Sequence, residues 1–333
     1  MTRVAAALLA VMVALAAAAI GLARQYHAFL GTPLTLAPSG EVLLVPRGSS
    51  LRAVLATLEE RGISRFDWRW RLCTRLNPVT ILAGEYALAP GLRPADLLRL
   101  LSSGDVIRYQ FTIIEGWNFS QLKAALANDA VLLQRLETLG DGKLMAHLGH
   151  ESTHPEGWFL PETYQFTRGD SDLDILRRAH AAMRRALEAA WRDRDPGVPL
   201  DSPYELLILA SIVEKESGQE SERPDIAGVF ARRLQQGWRL ETDPTVIYGL
   251  GERFDGDIRT RDLRTDTPYN TYTRHGLPPT PIALPASSSL GAAARPAPGS
   301  AMFFVADGTG GHVFSDTLEA HNRAVRALQV RKP

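Results

Sequence analysis

Ser202-Pro203-Tyr204-Glu205-Leu206-Leu207-Ile208-Leu209-Ala210-Ser211-Ile212-Val213-Glu214-Lys215-Glu216 is the stretch from which the rest of the 333-residue chain can be read. Ser202 with Glu205 three positions on is a capping box, and Pro203 stands at the first helical position. Gly218 is a natural stop. At about 100° per residue, Leu206, Leu209, Ile212 and Val213 share one face. Glu216 continues that face, whereas Glu214 points well away from it. Glu216 therefore extends an apolar stripe near the negative end of a helix dipole. Both effects disfavour its ionised form and raise its pKa. A carboxyl group that keeps its proton near neutrality is a candidate general acid. The bland alternative is a carboxylate exposed where the helix frays, or paired with an Arg. Lys215 reads as a solvated neighbour of either glutamate.

Outward from this helix the pattern is that of an α+β protein. Arg108–Ile114 alternates like a strand. Glu115-Gly116-Trp117 is a turn, and Asn118 or Ser120 caps the next helix. Residues 121–148 read as mostly helical. An aromatic, Pro-containing loop runs from Pro155 to Tyr164, and Asp172–Trp191 is an amphipathic helix. Residues 240–285 are rich in turns. Met302–Ala306 and His312–Phe314 flank Asp307-Gly308-Thr309-Gly310-Gly311, a hairpin signature. A last helix covers about Leu318–Val330. These elements place the larger domain at 108–333.

A smaller module is expected at 41–107. Val42–Val45 and Glu85–Leu88 read as strands. Ser49 caps a helix to Glu60, stopped by Gly62, and Arg93–Ser102 is a helix ended near Gly104. Phe66, Trp70 and Cys73 fall at i, i+4 and i+7 and face a small core. Strand, helix, helix, strand, helix in this length is similar to a degenerate LysM-like carbohydrate-binding module. Residues 25–40 read as a linker, because Gly31–Gly40 holds two Pro and two Gly. Ahead of it, Val4–Ala23 has no charged or strongly polar side chain. As a helix it spans roughly 30 Å, a bilayer core. Residues 1–24 are read as a transmembrane anchor with the N-terminus inside. A cleaved signal peptide, with Gly21-Leu22-Ala23 as its small residues, is the rival reading. Either one exports the remainder.

Composition excludes several classes. Lys+Arg and Asp+Glu are each 37, so no basic excess marks a nucleic-acid binder. The small module has nine Arg against seven acids, and residues 108–333 carry 26 basic and 30 acidic side chains, too little of either sign to bind a polyanion by charge alone. Cys73 is the single cysteine, which removes internal disulfides and Cys-based zinc sites. His312 and His321 lack HExxH spacing or a Cys partner. Gly249-Leu250-Gly251 and the 308–311 glycines read as turns, not phosphate loops. Ser211 lacks the context of an esterase elbow. No metal or cofactor is expected.

Several blocks, in order, resemble the membrane-bound endolytic murein transglycosylases (MltG or YceG-like). Ala210-Ser211-Ile212-Val213-Glu214-Lys215-Glu216 looks like their signature. Glu156-Gly157-Trp158-Phe159-Leu160-Pro161-Glu162-Thr163-Tyr164 precedes it, and Val229-Phe230 with Arg233-Leu234 follows. Next come Leu240-Glu241-Thr242-Asp243-Pro244-Thr245-Val246-Ile247-Tyr248-Gly249, Tyr269-Asn270-Thr271-Tyr272 and Gly276-Leu277-Pro278-Pro279-Thr280-Pro281-Ile282. Phe304-Val305-Ala306, Gly311-His312-Val313-Phe314 and His321-Asn322 close the series. Thr280 stands where the family usually has Gly.

The resemblance implies a catalytic role for Glu216, the residue that helical geometry selects independently. It implies cleavage of the β-1,4 bond between N-acetylmuramic acid and N-acetylglucosamine inside peptidoglycan strands. The muramyl C6 hydroxyl attacks C1 and leaves a 1,6-anhydro end. One carboxyl serves both steps, unlike the usual two-carboxylate hydrolase. Thr242, Asn270, Tyr269 and Tyr272 are candidate oxygens around the reacting sugar, and Trp158 or Tyr164 could stack on it. Asp243 orients substrate or simply turns the chain. Glu162 lines the cleft or caps a turn. Tyr269 and Tyr272 read equally as core aromatics with a polar handle. Two other functions stay open. One is a peptidoglycan-binding adaptor without catalysis. The other is a hydrolase using Asp243 or Glu162 as second carboxylate. Family behaviour implies work at the plasma membrane, on its outer side, beside peptidoglycan synthases (penicillin-binding proteins), terminating nascent strands.

Overall fold

The computed structural model describes residues 2–139, 141–151 and 153–329, without the side chains of Thr2, Asp141 and Gln329. The chain forms two units, Met1–Tyr109 with Thr167–Gly169, and Gln110–Phe166 with Asp170–Pro333.

In the first unit, α1 (Thr2–Gly31) is long and apolar enough to cross a membrane, with a mean hydropathy of 2.6 in its richest window. Val4, Leu8, Met12 and Leu15 on it are exposed. The helix outruns the apolar stretch. Phe29 is buried edge-on against Trp70, with ring centroids 5.2 Å apart. Leu34 is buried too, and its N–H donates to Leu92 O at 2.8 Å. Residues 25–40, expected as a linker, thus carry a helix end and two core side chains. Strand β1 (Glu41–Val45) pairs antiparallel with β2 (Gly84–Leu88), Leu43 opposite Tyr86. Three helices cover the pair: α2 (Leu51–Glu60), α3 (Trp68–Leu76) and α4 (Pro94–Ser103). Ser50, not Ser49, caps α2 by accepting from Ala53 N. Gly104 ends α4 in the left-handed region at φ 71°. Trp70 and Cys73 sit in the core, with Trp70 Nε1 donating to Ser64 Oγ at 2.8 Å.

The second unit mixes helices with two small sheets. β3 (Tyr109–Thr112) pairs with β4 (Thr163–Phe166), and β5 (Phe303–Ala306) with β6 (His312–Ser315). The β5–β6 turn is the hairpin expected from its glycines. Asp307 Oδ1 accepts from Thr309 N and Gly311 N at 2.7 and 3.1 Å. Asn118 and Gln121 form a reciprocal capping box on α5 (Phe119–Ala127). Residues 121–148 are mostly helical, as expected, but not in one run. Only α6 (Leu136–Leu139) and α7 (Asp141–His147) follow, because Asp129 turns the chain by accepting from Val131 N and Leu132 N. Asp172 then accepts from Arg135 N and Leu136 N. Such side-chain bonds to backbone compete with the helix ladder.

At the centre lies α9 (Pro203–Glu216), enclosed by α8 (Asp172–Arg192), α10 (Arg223–Gln235) and α13 (Ser287–Ala294). Between α10 and α13 come two short helices, α11 (Asp243–Leu250) and α12 (Thr260–Arg264). Every residue from Leu206 to Glu214 is buried. The last helix, α14, is Leu318–Gln329; the expected end at Val330 lies outside the described residues.

Candidate active site

The stretch 202–216 folds as its caps dictate. Ser202 Oγ accepts from Glu205 N, and Ser217 N donates to Val213 O at the other end. Glu205 reaches back to Asp201 N rather than to Ser202 N. Ser211 is a packing residue: its hydroxyl donates to Ile208 O and accepts from Ile282 N.

The two glutamates are separated by their surroundings, but not as a single apolar stripe implies. Glu214, off that stripe, is buried in protein as well. Its carboxylate accepts from Arg223 Nη2 at 3.1 Å, Ser289 Oγ at 2.7 Å and Ala286 N at 2.9 Å. Arg223 also binds Ser288 Oγ and Glu115 Oε2. Glu214 is thus a satisfied buried ion that ties α9 to α10 and to the start of α13.

Glu216 ends the helix, and among the described residues its one hydrogen-bond partner is the Thr242 hydroxyl, which donates to its Oε1. Burial pushes its carboxyl from the ordinary 4.5 up to about 7. The Thr242 hydrogen bond and the charges of His312 and Arg233 oppose that rise, while Asp243 adds to it. Thr242 can serve Glu216 because α11 leaves its hydroxyl free. It occupies the N-cap position without making a side-chain cap bond. Its N–H donates to Thr271 Oγ1 and its carbonyl accepts from Thr245 Oγ1. Just before it, Glu241 has φ 52°, the left-handed region for a non-glycine residue. Such backbone is held only where its surroundings over-determine it. Here Glu241 N donates to Thr271 O, and Arg239 lies 3.7 Å from its carboxylate.

The other expected site residues divide. Asp243 stands beside Thr242 and accepts the Tyr272 hydroxyl at 2.6 Å, so Thr242, Asp243 and Tyr272 gather with Glu216. Asn270 is buried, and its amide is spent on backbone. Nδ2 donates to the carbonyls of Asp262, Leu263 and Thr265, and Oδ1 accepts from Tyr272 N. It holds the turn that presents Tyr272. Tyr269 packs against Tyr248 with ring centroids 5.0 Å apart and shares a 2.9 Å hydrogen bond with Thr280. Thr280 itself sits outside the left-handed region, so its backbone does not require a glycine. Glu162 is exposed ahead of β4, where its carbonyl accepts from Ile113 N. Tyr164 is buried, its hydroxyl on Leu160 O, and Trp158 stacks on Tyr204. Both aromatic rings pack within the protein.

Two groups escape sequence reasoning. Glu156, 2% exposed, accepts from Phe119 N at 3.0 Å and from the Tyr248 hydroxyl at 3.0 Å. Burial pushes it too up to about 7. The available signal was a carboxylate inside an otherwise apolar block, just before Gly157. At that glycine (φ 83°) a Cβ would lie 2.6 Å from Pro281. The second is His312. Glu222 accepts from its backbone N at 3.0 Å and lies 2.8 Å from its Nδ1. Glu222 is only six residues beyond Glu216, so the hairpin is fastened to the segment that leaves α9.

One acid holding its proton near neutrality, at the end of a central buried helix in a mixed helix-and-sheet scaffold, defines a class of single-acid sites. The chain belongs to the YceG-like family, whose model matches residues 43–327. It is 30% identical over 298 residues to the endolytic murein transglycosylase of Bacillus subtilis, covering 84% of this chain and 82% of that protein. The endolytic murein transglycosylase of Streptococcus pneumoniae is 26% identical over 317 residues, and the match spans 84% of this chain and 57% of the relative. A crystal structure of a yceG-like protein from Listeria monocytogenes aligns with a TM-score of 0.55 at 30% identity, covering 86% of this chain and 99% of that one.

Proposed function

We propose that the protein is an endolytic murein transglycosylase that cuts the bond between N-acetylmuramic acid and N-acetylglucosamine within peptidoglycan strands. The observation that carries this reading is the Glu216–Thr242 pair, a half-buried carboxyl raised to about 7 by desolvation, with a hydroxyl to steady it when the proton leaves. Glu216 gives its proton to the glycosidic oxygen as the bond from C1 breaks. The oxocarbenium-like C1 is then attacked by the C6 hydroxyl of the same sugar. The proton of that hydroxyl passes to the Glu216 carboxylate, which restores the acid. A bond from C1 to O6 has replaced the bond from C1 to the leaving oxygen, and no water is consumed. Asp243 supports this over a two-carboxylate hydrolase, because the Tyr272 hydroxyl holds it at 2.6 Å. Glu162, exposed at the edge of the β3–β4 pair, is no better placed for that role.

The first unit supports a holding function. Its strand pair covered by three helices is similar to a LysM-like module, which would keep the enzyme on glycan. Helix α1 supports anchoring at the plasma membrane with the catalytic unit outside, where the enzyme would work beside peptidoglycan synthases and end growing strands. Mass spectrometry of products from purified glycan strands tests the reading. The wild type is expected to leave 1,6-anhydromuramyl ends and Glu216→Gln none. Reducing ends, or undiminished products from the variant, would refute it.

A further inference from the structure

Helix α1 runs past its apolar stretch into the core of the first unit, and so sets the height of what packs on it. Phe29 on α1 meets Trp70 on α3, with ring centroids 5.2 Å apart. Tyr26, three residues earlier on α1, lies hydroxyl to thiol against Cys73, three residues later on α3. Each step is about 4.5 Å along its helix. Helix α3 therefore descends toward the bilayer as α1 rises from it. Three residues further down, Leu76 at the end of α3 comes level with Ala23, the last residue of the apolar stretch.

The chain at that level has the composition of a membrane interface. Residues 68–84 hold three Arg and no acid, and residues 76–83 hold no charged side chain. Val79 and Ile81 pack against the core, and Leu82 N donates to Leu101 O at 2.9 Å, so the loop is held in place. Pro78, Thr80 and Leu82 face outward between them, and Leu76 and Leu82 are 60% and 45% exposed. Above this apolar tip, Arg71 and Arg75 stand exposed one turn apart on α3, and among the described residues neither has an acidic partner. The Arg71 guanidinium lies 5.9 Å over the Phe66 ring instead. An apolar edge under a basic collar is how a protein seats itself in the interface of an anionic membrane. The flank of α1 at the same level faces lipid already, so the bilayer is the surface that this tip meets first.

We propose that the loop Leu76–Leu82 dips into the bilayer interface beside α1, with Arg71 and Arg75 on anionic headgroups, as a second membrane contact that fixes the tilt of the first unit. The inference rests on the reading of α1 as a membrane anchor. The test uses full-length protein in vesicles of phosphatidylglycerol and phosphatidylethanolamine. Cys73 is fully buried, so a new surface cysteine takes a fluorescent label. One probe sits at Thr80→Cys and a reference probe at Thr32→Cys, an exposed position about 13 Å above Ala23 along α1. Nitroxide on the lipid acyl chains is expected to quench the Thr80 probe at least about threefold more strongly than the Thr32 probe. Leu76→Ser/Leu82→Ser, at exposed positions that the fold does not need, should remove most of that excess. Arg71→Gln/Arg75→Gln or high salt should shrink it. Equal quenching at the two positions, with aqueous iodide reaching the Thr80 probe, would overturn the proposal. So would a Thr80 probe shielded from both quenchers, which would put a protein on the loop in place of lipid. Release of the whole protein from the vesicles by alkaline carbonate would instead sink the anchoring reading and this inference with it.

Discussion

Replacing Glu216 by Gln should flatten the pH dependence of stability in the larger unit. The carboxyl is raised from 4.5 to about 7, so the folded chain binds that proton more tightly than the unfolded chain. Stability linked to the proton is fully present below about 4.5 and is lost as pH rises through about 7. At about 1.4 kcal/mol per unit, the complete loss is on the order of 3 kcal/mol. Roughly 2 kcal/mol of it falls between about pH 5 and pH 8. A glutamine of the same shape has no proton to lose. Glu156 titrates over the same range, but it is present in both proteins and cancels from the difference. For a unit of this size about 1 kcal/mol moves Tm by roughly 2–4 °C. The wild type should therefore lose about 4–8 °C more than the variant across that pH range, and the variant should be the more stable at the alkaline end. Thermal unfolding followed by circular dichroism at matched ionic strength reads this directly. Parallel curves, or a variant that loses more than the wild type, would refute the claim that desolvation holds the proton on Glu216.

Glu214→Ala strands the buried Arg223 guanidinium and is expected to cost about 3–5 kcal/mol in urea unfolding, with part regained in Glu214→Ala/Arg223→Met. Thr242→Val removes the hydrogen bond that favours the Glu216 carboxylate, so the alkaline limb of the cleavage profile should move up by about half to one pH unit. His312→Gln removes a charge that pulls Glu216 down, and should move the same limb in the same direction. Glu222→Gln, which loosens His312, should follow it with a smaller shift.

Much of the architecture could be read in advance where the signals were local. Ser202 with Pro203 and the Asp307–Gly311 turn each carry their own geometry, and of the two candidate caps Asn118 and Ser120 the structure uses Asn118. Glu216 was legible because apolar residues at Leu209 and Ile212 lie on its face. The burial of Glu214 was not legible from the same helix. Leu207, Ile208 and Ala210 fill the remaining faces, and a helix apolar all round is buried all round. Its polar partners come from residues 223, 286 and 289, which no spacing rule connects to 214. The break after Ala127 was hidden for the same reason, since Asp172 satisfies backbone 37 residues earlier. Composition also misled at 25–40. The Pro and Gly there are real turn formers, but Phe29 ahead of them and Leu34 among them are core residues. Glu156 passed unnoticed inside an aromatic block because its partners, Phe119 N–H and Tyr248, lie far along the chain.

The central claim is that one carboxyl group cuts glycan without water. Digestion of purified strands in isotopically labelled water tests it most directly. The account predicts anhydromuramyl ends that carry no solvent oxygen in the wild type, and no new ends with Glu216→Gln. Labelled reducing ends from the wild type would contradict it.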